Sequence, residues 1–245
     1  MMTKFWLLLI LVLWLPFLGM PSQVAPQKSA SSLEYEYRAD HDPDGIGKFY
    51  LGREIAHVMG HTGAGWLERA ERIAEEKPDE VVKNFNLKAT DVVADIGAGT
   101  GYFSFRISPL VKQGKVFAVD IQPEMLALME KRKKEMKADN VVTVHGTEQD
   151  TKLPEASVDL AFMVDAYHEF SYPREMMQSL VKSLKLGGRI VLIEYRGEDP
   201  TVQIKRVHKM TVAQVRKELA AVGLKWKETK DFLPYQHFIV FEKAE

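Results

Sequence analysis

Residues 92–105 read VVADIGAGTGYFSF: an apolar run that closes on an acid, glycines at 97, 99 and 101, then an aromatic-rich stretch with no further turn signal. A glycine-rich bend between a predicted strand and a predicted helix admits few architectures. Such a bend either lets a ligand lie against bare backbone at the helix N-terminus or is only a tight connection.

The flanking pattern favours a layered sheet. Strands are predicted at Val92–Ile96, Val116–Asp120, Val141–Val144, Val158–Val164 and Arg189–Tyr195, the last entered through a Gly187–Gly188 turn. Helices are predicted between them at Tyr102–Val111, Pro123–Lys137 and Pro173–Leu184. Thr211 caps a helix to Val222 with Gly223 just past its end. Lys225–Asp231 and Gln236–Glu242 read as a closing hairpin across Leu233-Pro234-Tyr235. Strands alternating with helices imply a parallel sheet covered on both faces, and in such sheets ligands sit outside the carboxyl ends of the strands.

The spacing of the bend narrows the ligand. A dinucleotide fingerprint needs G-x-G-x-x-G; here it is G-x-G-x-G, and Tyr102 stands where the third fingerprint glycine belongs. The next strand ends in Asp120, nineteen residues past Gly101, an acid able to accept both hydroxyls of a ribose. Glycines plus a ribose-reading acid, without a diphosphate signature, describe a nucleoside whose 5′ substituent is not a phosphate chain.

VVADIGAGTG, FAVDIQPEML and LKLGGRIVLIEYR resemble the successive motifs of class I S-adenosylmethionine-dependent methyltransferases, with the quinone-biosynthesis enzymes nearest in character. The resemblance runs from about Val81 to the C-terminus. It implies an α/β, Rossmann-like doubly wound seven-stranded sheet, mostly parallel with a C-terminal antiparallel hairpin strand, over residues 88–245. It implies S-adenosyl-L-methionine as cofactor, with Asp95, Gly97, Ala98, Gly99 and Gly101 at the methionine moiety, Asp120 at the ribose and Ile121 on adenine. The family's acid after the third strand is replaced by Thr147, so either Glu148 or Asp150 takes over, or Thr147 makes a hydroxyl contact. Asp165, closing the fourth strand, joins the cofactor set.

Asp165-Ala166-Tyr167-His168-Glu169-Phe170 follows that strand at the same sheet edge. By the resemblance this loop lies beside the transferring methyl. His168 or Glu169 could deprotonate an acceptor; equally, Tyr167 could line the pocket while His168 and Glu169 make ordinary polar contacts. Positioning alone can carry methyl transfer, so a base is not obligatory.

Upstream, residues 48–87 read as a helical lid, with one helix from Trp66 to near Pro78 and another over Asp79–Asn86. His57, His61 and Trp66 are its candidate acceptor contacts. His57 and His61 stand four apart, as metal ligands on a helix can, but Gly60, Gly63 and Gly65 oppose a helix and no third ligand has motif spacing, so no metal is expected. Residues 26–47 read as an irregular linker. Lys4 and the apolar run Phe5–Leu15, extended to about residue 20, read as a signal peptide or membrane anchor within residues 1–25, placing the protein outside the cytosol or on a membrane.

Composition excludes rather than assigns. With 33 basic against 34 acidic residues, no basic face for nucleic acid is implied; the Lys131–Lys137 run reads as a solvated helix face. The absence of cysteine removes thiol nucleophiles and thiolate-dependent arsenite methylation. The function expected is methyl transfer to a small-molecule acceptor, lipid-like ones included; the alternative is a non-catalytic nucleoside-binding or sensor domain at a membrane. An NAD-dependent oxidoreductase is opposed by Tyr102.

Overall fold

The computed structural model describes residues 35–243. The apolar run expected to be a signal or anchor lies outside them. Among the described residues no helix is long and apolar enough to cross a membrane.

The described residues open on a small antiparallel sheet, β1 (Glu36–Tyr37), β2 (Gly45–Tyr50) and β3 (Arg53–Ala56). This corrects two expectations: residues 36–47 are not irregular throughout, and the lid begins as a β-hairpin. Tyr50 pairs with Arg53, and the two residues between them, Leu51 (φ 49°) and Gly52 (φ 92°), both take positive φ. That is the two-residue turn whose twist matches its strands. The local signal, X-Gly between apolar residues, was present but outweighed by neighbouring glycines and histidines.

Three short helices follow: α1 (Ala64–Leu67), α2 (Arg72–Glu76) and α3 (Pro78–Asn84). The single helix expected from Trp66 is broken. Arg69 donates to the Trp66 carbonyl at 3.0 Å and Arg72 to the Leu67 carbonyl at 2.9 Å, capping α1 early. Ile73, on α2, is exposed. Lys77 in the left-handed region (φ 44°) stops α2, and Pro78 starts α3 at its first turn.

The core then alternates β4 (Val92–Ile96), α4 (Ser104–Ile107), β5 (Lys115–Asp120), α5 (Pro123–Met136), β6 (Val141–His145), β7 (Val158–Val164), α6 (Pro173–Ser183), β8 (Leu184–Tyr195), α7 (Val212–Ala220), β9 (Leu224–Lys230) and β10 (Gln236–Lys243). These seven strands form one sheet in the order β6-β5-β4-β7-β8-β10-β9, parallel except for β10, which runs antiparallel to both neighbours. The expected α/β sheet is the one observed. Gly187–Gly188 lies inside β8: between the pairs Val158↔Leu184 and Leu160↔Arg189 the strand bulges instead of beginning after a turn.

Period-2 alternation divides the core. Val93, Phe162, Val191 and Phe238 face one apolar layer with α3 and α5, while Ala94, Met163, Leu192 and Ile239 face the other with α6 and α7. From β4 the chain winds outward through β5 and β6, then returns to β7 on the other side of β4. That reversal leaves a crevice above the carboxyl ends of β4 and β7.

Candidate active site

The crevice is a cleft of about 440 Å³. Its first wall is backbone. Gly97, Gly99 and Gly101 sit at φ 75°, 56° and 76°, where L side chains are strained. A Cβ at Gly97 would come within 2.8 Å of the Ala166 Cβ, and one at Gly99 within 2.5 Å of Leu67 Cδ1. Gly97 and Gly99 therefore open onto the cleft, while Gly101 packs inward against Phe105 and Met129.

Asp120 ends β5 at this wall, buried, its Oδ2 accepting from the Gly99 N–H at 2.8 Å and its Oδ1 from the Gln122 N–H at 2.9 Å. Burial raises its pKa against the pull of those donors. Ile121 and Glu148 line the same end. Asp165 leaves β7 at φ 49° and lines the cleft; its Oδ2 accepts from Gln236 at 2.7 Å, while its buried Oδ1 has no protein partner. Burial, then the nearby Glu76 and Glu194, hold this carboxyl well above its usual range. A strained residue carrying an unsatisfied buried oxygen is built for a donor from outside the chain.

Other predicted residues do not reach the cleft. Asp95 lies beneath the turn, its Oδ2 accepting from Ser104 Oγ at 2.7 Å, and burial pushes its pKa to about 7. Ala98 and Gly101 are not among the lining residues. Thr147 caps its own turn, its hydroxyl accepting from the Asp150 N–H at 3.0 Å, and Asp150 is engaged by Lys152 and Ser179. Of the three alternatives at that position, Glu148 is the one that lines the cleft. Tyr167 points into the interior, donating its hydroxyl to Glu218 at 2.9 Å. His57 follows β3 and His61 opens a 3-10 turn; both are exposed and outside the cleft lining. Trp66 lines the rim, half exposed, beneath the Arg69 guanidinium at 3.8 Å.

The second wall is side chains. His168 is buried, its Nδ1 2.6 Å from Glu194 Oε2, while Glu194 Oε1 accepts from the Tyr167 N–H at 2.9 Å. Burial alone would lower this imidazole's pKa; the Glu194 carboxylate overrides it and the net shift is upward. His168 Nε2 lies 3.1 Å from His208 Nδ1. Burial and the His168 charge push His208 down to about 4. Glu169, raised by burial, accepts the Met59 N–H on Oε2 at 3.1 Å.

Sequence reasoning missed Glu194, His208 and the lid cations. Glu194 had a signal, an acid inside the apolar run RIVLIEY. His208 had none, since a loop and a 3-10 turn carry it in. The cations at the cleft are Arg69, Arg72 and Lys205, and each is paired: Arg69 with Glu75 and Glu76 at 2.8 Å, Arg72 with Glu76 at 2.5 Å, Lys205 with Asp44 at 2.5 Å. Among the described residues, Asp120, Glu148 and Asp165 face the cleft without a lysine or arginine in a salt bridge, and Glu169 lies 3.8 and 3.7 Å from His168 and His208. No unpaired lysine or arginine among the described residues lines the cleft to receive a pyrophosphate.

Residues 93–188 match the family model described as a methyltransferase domain. The chain is 30% identical over 151 residues to an uncharacterised methyltransferase-like protein of Schizosaccharomyces pombe, covering 61% of this chain and 56% of that one. It is 26% identical over 116 residues to the demethylmenaquinone methyltransferase of Oceanobacillus iheyensis, covering 47% and 49%. The chain thus spans about half the length of these curated relatives. In fold it resembles the crystal structure of a SAM-dependent methyltransferase from Aquifex aeolicus, with a TM-score of 0.72 and 23% identity over 76% of this chain and 100% of that one. Residues 93–188, which hold the glycine turn and the acid ending β5, thus match a methyltransferase domain, and the fold is the one seen in the SAM-dependent enzyme of Aquifex aeolicus.

Proposed function

We propose that this protein transfers the methyl group of S-adenosylmethionine to a small-molecule acceptor. The observation that carries the reading is the pairing of bare glycine backbone with the Asp120 carboxylate in one cleft whose cations are all neutralised. Gly97 and Gly99, where a Cβ would strike Ala166 or Leu67, present bare backbone to the cleft, Asp120 keeps lone pairs for ribose hydroxyls, and the orphaned Asp165 Oδ1 accepts an ammonium N–H. S-adenosylmethionine supplies an electrophilic methyl on a sulfonium. The chain's part is to orient it against the glycine wall and to exclude water beneath the lid helices, which Leu67 lays over Gly99. The acceptor enters on the side of His168, Glu169 and His208, polar groups suited to an ionisable hydroxyl. The demethylmenaquinone-directed relative supports an acceptor of the quinol or phenol kind.

Calorimetric titration of the full chain with S-adenosylmethionine and with NAD tests the cofactor. Micromolar binding of the first alone is expected. Methyl transfer from labelled S-adenosylmethionine to quinols and phenols then tests the acceptor. Tight NAD binding would replace the reading.

A further inference from the structure

We propose that His168 Nε2, His208 Nδ1 and Glu169 Oε1 form the binding site of one divalent transition-metal ion, open to the acceptor half of the cleft. The three atoms lie 3.1 Å (His168 to His208), 3.8 Å (His168 to Glu169) and 3.7 Å (His208 to Glu169) apart. An ion bonded at about 2.0–2.2 Å sets neighbouring donors roughly 3.0–3.4 Å apart. The two imidazoles already satisfy that spacing, and the carboxylate needs to close by only about half an ångström.

The remaining atoms of the ligand residues are fixed as metal ligands usually are. His168 Nδ1 is held by Glu194, which fixes the ring so that Nε2, hydrogen-bonded to His208 Nδ1 at 3.1 Å, would turn its lone pair to an ion in place of that bond. Glu169 Oε2 is held by the Met59 N–H, which leaves Oε1 directed at both imidazoles. His208 arrives on the 3-10 turn Arg206–His208, tethered to the N-terminal sheet by Arg206 and Asp42 at 2.9 Å. The neighbouring guanidinium of Arg53 is engaged by Glu218 at 2.7 and 2.9 Å, so it is not the partner of Glu169 or Glu194.

Two nitrogens and one carboxylate oxygen suit zinc, cobalt, iron or manganese rather than magnesium or calcium, which prefer all-oxygen shells. All three ligand residues line the cleft, so the ion's remaining coordination positions face it. The class of molecule that fits those positions is an acceptor with an ionisable hydroxyl, a phenol or enol, bound as its oxyanion with the hydroxyl proton released to solvent. This part rests on the methyl-transfer reading; the metal site itself does not. With the Nε2 lone pair committed to an ion, His168 holds the metal and is not the free base considered from the sequence.

The test uses the full chain, purified without a polyhistidine tag and freed of metal by chelator dialysis. Titration with Zn²⁺ and Co²⁺ is followed by calorimetry, and Co²⁺ also by its visible absorption bands. One equivalent binding at micromolar affinity or tighter is expected. His208→Ala and the near-isosteric Glu169→Gln should each weaken it at least 30-fold, with the fold checked by circular dichroism, while His237→Ala, outside the cleft, should bind as wild type. No stoichiometric binding of either ion, or binding that survives both substitutions, overturns the site. Phenol added to the Co²⁺ form should shift the visible bands; unmoved bands overturn the acceptor class. S-adenosylmethionine titrated into the metal-free protein reports separately on the cofactor reading.

Discussion

The two walls of the cleft are made by different means. The glycine wall is main chain, contributed by one continuous turn between β4 and α4 and fastened by Asp120 at Gly99 and by Glu68 at Thr100. The opposite wall is side chains drawn from the end of β7 and the loop after it, the end of β8, the 3-10 turn before α7 and the segment 58–76. A backbone wall tolerates no added atom but asks little of its neighbours. A side-chain wall tolerates rearrangement of single groups but needs several distant segments in register. Substitutions at the first should therefore act on binding sharply and locally, and those at the second should divide between stability and chemistry.

The strongest test of that contrast is Gly97→Ala. Its Cβ would meet the Ala166 Cβ at 2.8 Å, an atom with no flexible end to move, at a φ that an L residue adopts only with strain. S-adenosylmethionine affinity should fall more than about 100-fold in calorimetry, with roughly 1–3 kcal/mol lost from stability. Gly99→Ala should cost less, because its clash is with the mobile tip of Leu67. Equal effects at both positions would mean that backbone strain, not the approach of the ligand, sets the wall.

Asp120→Asn keeps the shape and removes the charge. Charge-assisted hydrogen bonds are worth about 1.5–3 kcal/mol, so a roughly 10–100-fold weaker Kd for S-adenosylmethionine is expected. An unchanged Kd would remove the ribose role from this acid.

Asp95 sharpens the comparison through pH. Its folded pKa, about 7, lies above the ordinary 3.8, so the native state favours the neutral acid. The associated stability is fully present below about pH 4 and is lost as pH rises through 7. At about 1.4 kcal/mol per pKa step, the loss is on the order of 4 kcal/mol. Asp95→Asn should flatten this part of the melting profile between about pH 4 and 7. A variant profile that falls as steeply as the wild type's would show that another group is responsible.

The smallest effect is expected at Tyr167→Phe. Deleting the hydroxyl breaks its bond to Glu218 and should lower stability by about 1–2 kcal/mol, leaving cofactor affinity within about twofold. A loss of cofactor or acceptor binding without a change in stability would return this ring to the cleft.

The sheet and its order of elements were legible because buried strands carry runs such as VVADI and VDLAFMV and because turn residues punctuate them. Gly97, Gly99 and Asp120 were legible for the same reason: a positive-φ turn and the acid ending the next strand lie at fixed offsets in one chain segment. The N-terminal hairpin was not, since short strands beside glycines lack the alternation that marks a longer one. The broken lid helix was not, since Arg69 and Arg72 end it through carbonyl bonds that apolar periodicity does not register.

By itself, then, the sequence determined a parallel core and a nucleoside-sized backbone cradle at its reversal point, because both follow from local periodicity and local φ. Only the tertiary structure decided that Asp95 and Tyr167 turn inward, and that Glu194 and His208 join His168 and Glu169 at one place. Residues up to forty positions apart meet there because the sheet's crossovers and the N-terminal anchoring of the 206–208 turn bring them together. No spacing along the chain encodes that meeting.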